Sequence, residues 1–140
     1  MLISTFYRPP DTSKHLSNNF EHSIQHKLSI ATNEKKELIL LGDLNVNYSC
    51  NQYHKEIKDI FALNGMTQII TCDTRFDLHH NTSTLIDVIF VKYTFAVKRS
   101  SVIPMSIGDH DMVGFVSNGT MLVSHRKTLI AETTEIMIPY

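Results

Sequence analysis

Cysteine is scarce in this chain. It occurs only at Cys50 and Cys72, with no C-x-x-C spacing. That excludes a disulfide framework and makes a reducing, intracellular setting, nuclear or cytoplasmic, the expectation. No excess of charge of one sign exists either: 13 Lys and Arg face 14 Asp and Glu, a formal net charge of -1. The broad basic footprint of a non-specific nucleic-acid binder is thereby excluded. Only Lys35-Lys36, Lys98-Arg99 and Arg126-Lys127 form small basic spots, so a polyanionic substrate would have to be recognised locally or with a metal's help. Apolar runs long enough to span a bilayer, roughly 20 residues, are missing. No signal peptide precedes the first strand, and no repeat or low-complexity segment is visible. What remains, 140 residues with 42% hydrophobic and 19% charged side chains, is the composition of one ordinary soluble domain.

The clearest element is Leu38-Ile39-Leu40-Leu41, a run that reads as a strand buried on both faces. Leu2 to Tyr7 reads as an earlier strand, ended by Pro9-Pro10, which cannot donate to a ladder. Between them Phe20, Ile24, Leu28 and Ala31 recur at helical spacing, with Ser17 or Asn18-Asn19 as the cap. A second helix is expected over Gln52 to Asn64, its apolar side marked by Tyr53, Ile57, Ile60, Phe61 and Leu63, with Asn64-Gly65 as the stop. Met66 to Thr71 reads as a short strand centred on Ile69-Ile70, and Cys72 to Ser83 as polar and irregular. Leu85 to Lys92, Ser101 to Ile103 and Met112 to Val116 complete the strands. Strand, helix, strand, helix and then strands alone predict a parallel βαβ entry followed by antiparallel pairing, a mixed α/β layered architecture. The domain is expected over residues 1–117, with 118–140 a tail of undefined pattern.

Polar residues stand out against this frame at two places. Gly42 breaks the buried strand, and Asp43 and Asn45 follow at alternate positions. In extended backbone both would reach one cleft, a pair suited to activating a water and holding an oxyanion. The plain alternative is turn chemistry, the commonest use of Asp and Asn after a strand. Asp87 interrupts a run of Leu, Ile, Val and Phe, where an unpaired carboxylate costs several kcal/mol. Either it faces solvent on an edge strand, or it orients a histidine, with His110 in Gly108-Asp109-His110 the candidate. Asp109 could bind a divalent cation, since hard cations take carboxylate oxygens. His22 and His26 lie four apart on the first helix, but Ser-Ile-Gln between them is not the pattern of a zinc hydrolase, and surface histidines are expected. His79-His80 is expected to be solvated.

Four features occur in order: Tyr7-Arg8-Pro9-Pro10, Gly42-Asp43-Leu44-Asn45, Ser83-Thr84-Leu85-Ile86-Asp87 and Gly108-Asp109-His110. Together with Thr74-Arg75 they resemble the C-terminal half of the endonuclease/exonuclease/phosphatase superfamily, most of all the endonuclease domain of non-LTR (LINE-type) retrotransposons. The resemblance covers roughly residues 2 to 116. It implies part of a four-layered α/β/β/α sandwich with mixed sheets, and Mg²⁺-dependent hydrolysis of DNA phosphodiesters. By the same resemblance Asp43 would position or deprotonate the attacking water, while Asn45 would hold it and a phosphate oxygen. Tyr7 would hydrogen-bond the phosphate. His110, oriented by Asp87, would stabilise charge on the phosphoryl oxygens; Asp109 would help with metal, and Arg75 and Thr84 would contact DNA.

Two departures shape the expectation. Gly108 stands where the family has Ser, and the family's first half, with an Asn and the metal-anchoring Glu, has no counterpart before Leu2. The sequence is therefore expected to be a truncated relic or an incomplete gene model of a mobile-element endonuclease, inactive alone, with uncovered apolar surface open to self-association. Two other readings compete: a non-catalytic, degenerate α/β binding domain, and a phosphatase of the same superfamily acting on a lipid or small molecule.

Overall fold

The computed structural model describes residues 1–10, 20–50, 55–94, 97–105, 108–117 and, for the backbone, 135–138. Strand β1 (Leu2–Tyr7) lies parallel to β2 (Leu38–Asp43), in register from Leu2 opposite Leu38 to Tyr7 opposite Asp43. Helix α1 (Phe20–Asn33) carries the chain between them, the βαβ entry that the apolar spacing predicts. All six residues of β2 are buried, because it has neighbours on both edges and cover on both faces. Its second neighbour is β6 (Asp87–Val91), antiparallel and equally buried, and β3 (Thr67–Gln68) pairs with the far side of β6. The sheet order is β1-β2-β6-β3.

Alternation along the strands divides the core into two halves. On one face Phe6 and Phe90 meet Phe61 of α2 (Lys55–Leu63), with the Phe61 and Phe90 rings stacked at 3.7 Å. Ile24 and Leu28 of α1 join the same cluster. On the other face a second sheet packs, formed by β7 (Val97–Ile103), β8 (Met112–Ser117) and β9 (Glu135–Ile138). Val113 and Phe115 are buried there, and Phe115 and Val97 line a small cavity with Ile39 and Val91. Helices, a four-stranded sheet and a three-stranded sheet thus make three layers, the mixed α/β sandwich expected. At the sheet's end, β1 has no strand beyond it among the described residues. Ile3, Thr5 and Tyr7, on the face of the sheet that elsewhere carries the second sheet, are all exposed.

Two glycines have steric reasons. A Cβ on Gly42 would collide with the carbonyl oxygen and ring of Phe6, so β1 and β2 can approach only if that position is bare. Gly65 has φ +69°, and the amides of Gly65 and Met66 bond to the carbonyls of Ala62 and Phe61, a left-handed close to α2.

Several expectations are corrected. Leu63 is 82% exposed rather than part of the apolar side of α2, because the helix's last turn has rotated it past Ile60 and Phe61. Within the described residues that helix begins at Lys55, while Tyr53 and the caps at Ser17 to Asn19 fall outside them. The third strand is the pair Thr67–Gln68, with Ile69 and Ile70 just after it, and β7 starts four residues before Ser101. Cys72 to Ser83 is not irregular: β4 (Arg75–Asp77) and β5 (Thr82–Thr84) form a ribbon of their own. Three-residue strands are too short to show a period, and the Asp77 carboxylate, accepting from the amides of His79 and His80, organises the turn. His22 and His26 are exposed, as expected. His80 is exposed but bonded to Asp77 at 2.8 Å, which holds that carboxyl at a pKa of about 2.

Candidate functional site

The register of β1, β2 and β6 brings the polar residues of three distant segments to one end of the sheet. Tyr7 is opposite Asp43, and Asp43 is opposite Asp87. Two carboxylates facing each other across strands repel, an arrangement that packing alone would not select.

Asn45 reaches the site by a different route from the expected one. Its backbone is not extended but left-handed, at φ +48°, a conformation asparagine tolerates. That curl lets its amide donate to Asp43 Oδ1 at 2.7 Å and its side-chain Nδ2 donate to Asp43 Oδ2 at 3.0 Å. Nδ2 also donates to the Arg8 carbonyl at 2.9 Å, and the Arg8 amide donates to the Asp43 carbonyl. Turn chemistry and site chemistry are therefore the same set of bonds: the Asx turn after β2 is what orients the Asp43 carboxylate.

Asp87 is wholly buried, so the edge-strand alternative does not apply. Its Oδ2 lies 2.9 Å from His110 Nδ1. An ionised carboxylate can only accept, which places the proton on Nδ1 and leaves Nε2 without one in neutral imidazole. Asp87 Oδ1 is buried and makes no hydrogen bond. Burial raises the pKa of both carboxyls. For Asp43 the largest opposing effect is the Asn45 amide, with the charge of Asp87 raising it further; for Asp87 the opposing effects are the bond and charge of His110, then the Thr74 side chain and the charge of Arg75.

One ligand atom from each of Asp43, Asp87 and His110 lies within 4.8 Å of the others, a group that could hold a divalent metal. The fit rests on more than proximity. Two desolvated carboxylates and one orphaned buried oxygen are a concentration of negative charge that a small cation would neutralise, and oxygen donors suit a hard ion.

Asp109 is outside that group. Its carboxylate accepts from Arg75 Nε at 2.7 Å, and the guanidinium holds its pKa below the ordinary carboxylate value. Arg75 pairs with Thr84 across the ribbon and bridges to His110, which sets the ribbon beside the site. Tyr7 stands at the rim, 62% exposed. The structure thus brings Asp43, Asn45, Asp87 and His110 into contact, with Tyr7, Arg75, Thr84 and Asp109 around them. Thr74, named in the sequence only as part of Thr74-Arg75 and given no role there, is fully buried between the ribbon and β6. A lone Thr before an Arg carries no signal of its burial.

Comparison with solved structures finds the same fold elsewhere. An endonuclease/exonuclease/phosphatase family protein from Leptotrichia buccalis superposes with a TM-score of 0.57 at 18% identity, over 79% of this chain and 45% of that one. A mannosyl-6-phosphatase of Bacteroides thetaiotaomicron gives 0.52 at 24% identity, over 78% and 48%. Another endonuclease/exonuclease/phosphatase family protein from that organism gives 0.52 at 23%, over 79% and 47%. The chain thus shares the sandwich fold of these proteins and spans a little under half the length of each. No protein-family model matches the sequence, and no curated protein matches it. Among the described residues, no helix is long and apolar enough to cross a membrane.

Proposed function

We propose that this chain belongs to the endonuclease/exonuclease/phosphatase superfamily and carries the part of a metal-dependent phosphodiesterase site supplied by Asp43, Asn45, Asp87 and His110. DNA is the substrate in this reading, and the ordered motifs resemble those of a non-LTR retrotransposon endonuclease. The observation that carries it is the cluster of two buried carboxylates and a carboxylate-bonded histidine at one sheet end, with Asp87 Oδ1 left unsatisfied. Fold likeness and the ordered motifs support the same reading.

Each residue has a role that its surroundings suit. Asp43, its pKa raised by burial, is a stronger proton acceptor than an exposed carboxylate and takes the proton of an attacking water. Asn45 keeps that carboxylate pointed into the site. His110, held by Asp87 through Nδ1, presents its other ring nitrogen to a phosphoryl oxygen and, when protonated, donates to it. Tyr7, at the rim, hydrogen-bonds the phosphate. Mg²⁺, bound by Asp43 and Asp87, would supply the positive charge that offsets the charge built up on the phosphoryl group. Asp109 is engaged by Arg75, so its part is to hold the cation that faces the DNA strand, with Thr84 beside it.

The test is nicking of supercoiled plasmid by the purified chain in Mg²⁺ and in EDTA, beside Asp43→Ala and His110→Ala. Mg²⁺-dependent nicking lost in both variants would support the assignment and set aside the inactivity expected from the sequence, whereas a folded wild-type chain that does not nick would support that inactivity. Nicking that persists in both would refute the assignment. A second reading, a phosphatase for a small phosphorylated molecule, draws on the mannosyl-6-phosphatase that shares the fold. Release of phosphate from mannose 6-phosphate without any nicking would favour it.

A further inference from the structure

We propose that Thr74 is a positioning residue that helps to align Asp87 with His110 by bonding to the segments of both. The two are 23 residues apart in sequence and sit on separate segments, so their 2.9 Å bond needs something to hold both. Thr74 is fully buried and reaches each segment. Its Oγ1 accepts from the Asp87 amide at 2.9 Å and from the Ile86 amide at 3.2 Å. Its carbonyl accepts from the amide of Asp111, the residue after His110, at 2.7 Å, and its own amide donates to the Thr84 carbonyl. The hydroxyl therefore sets where β6 begins, the carbonyl sets where the histidine turn ends, and the same residue ties both to the ribbon that carries Arg75.

Chemistry limits what can stand there. Ala or Val would leave the Ile86 and Asp87 amides without their acceptor, in a place where buried amides need one. Val keeps the shape of Thr and removes only the hydroxyl, while Ser keeps the hydroxyl and removes the methyl. That pair separates hydrogen bonding from packing.

The inference rests on reading Asp87 and His110 as part of the reactive site, but its test observes the pair directly. Proton NMR of the labelled full chain would follow the His110 Nδ1 proton and its exchange with water in wild type, Thr74→Ser, Thr74→Val and Thr74→Ala. Wild type and the Ser variant are expected to exchange alike, and the Val and Ala variants about tenfold faster, the opening that follows loss of a buried acceptor. Unchanged exchange in Val and Ala would overturn the proposal, as would a Ser variant behaving like Ala. Loss of the native amide spectrum in both Val and Ala also overturns it, because Thr74 would then be a general requirement of the fold. If wild type fails to nick DNA while these differences hold, the proposed reaction fails and the positioning role stands.

Discussion

Replacing Asp87 by Asn should make the metal-free protein more stable, although Asp87 is completely buried and hydrogen-bonded. The reason lies across the strands. Ligand oxygens of Asp43 and Asp87 lie within 4.8 Å of each other. Two like charges at that separation repel by about 3.5 kcal/mol at the effective dielectric of a partly solvated site. The carboxamide introduced by Asp87→Asn would keep an oxygen to accept from His110 and remove the negative charge that faces Asp43. Against the relief stands the lost charge assistance of the histidine bond, about 1 kcal/mol or slightly more. The net gain is about 2 kcal/mol at pH 7, or about 6 °C in Tm for a chain of this size.

The pH dependence follows from the same groups. Both carboxyls have raised pKa values in the folded chain, so above the ordinary carboxylate value the folded state binds more protons than the unfolded one. Their contribution to stability is full at the acid side and is lost as pH rises through the raised values. Thermal melts of wild type and Asp87→Asn in EDTA, from pH 4 to 8, would measure the gap, which should widen with pH. Adding Mg²⁺ should raise the Tm of wild type and leave the variant nearly unmoved. A variant less stable than wild type at pH 7 without metal would refute the account of Asp87 as a destabilised carboxylate held ready for a cation.

Further outcomes can be checked on the same chain. Gly42→Ala should destabilise by about 3 kcal/mol or prevent folding, since the new methyl meets the Phe6 backbone and not merely a movable side chain; urea unfolding would show it. Phe61→Ala should cost about 3–5 kcal/mol because its ring is sealed against Phe90, whereas Leu63→Ala two residues later should change stability by less than about 0.5 kcal/mol. Arg75→Ala breaks an exposed ion pair and should shift urea stability by less than about 1 kcal/mol, yet raise the DNA concentration needed for half-maximal plasmid nicking. A stability loss well beyond that would mean that the pair holds the fold rather than the ligand.

The sequence by itself determined the parts that depend on local pattern. Leu38 to Leu41 had to be an interior strand, since no solvent-facing position interrupts it, and the 3.6-residue spacing of Ile24 and Leu28 marked the helix that covers it. It also isolated Asp43, Asn45, Asp87 and His110, because a carboxylate within an apolar run needs a partner. Only the tertiary structure decided how those residues meet. Periodicity carries no register, and the opposition of Asp43 to Asp87 is a fact of which strand lies beside which. The left-handed turn at Asn45 depends on a bond to the Arg8 carbonyl, contributed from 37 residues away. Asp109 reads in sequence as a cation ligand, and its capture by Arg75 appears only once the ribbon folds against the histidine turn. Thr74 is visible in the sequence as part of Thr74-Arg75, but its burial and its bonds appear only when β5, β6 and that turn close around it. Its four hydrogen bonds join segments separated by ten to 37 residues, a distance at which local propensity has no influence.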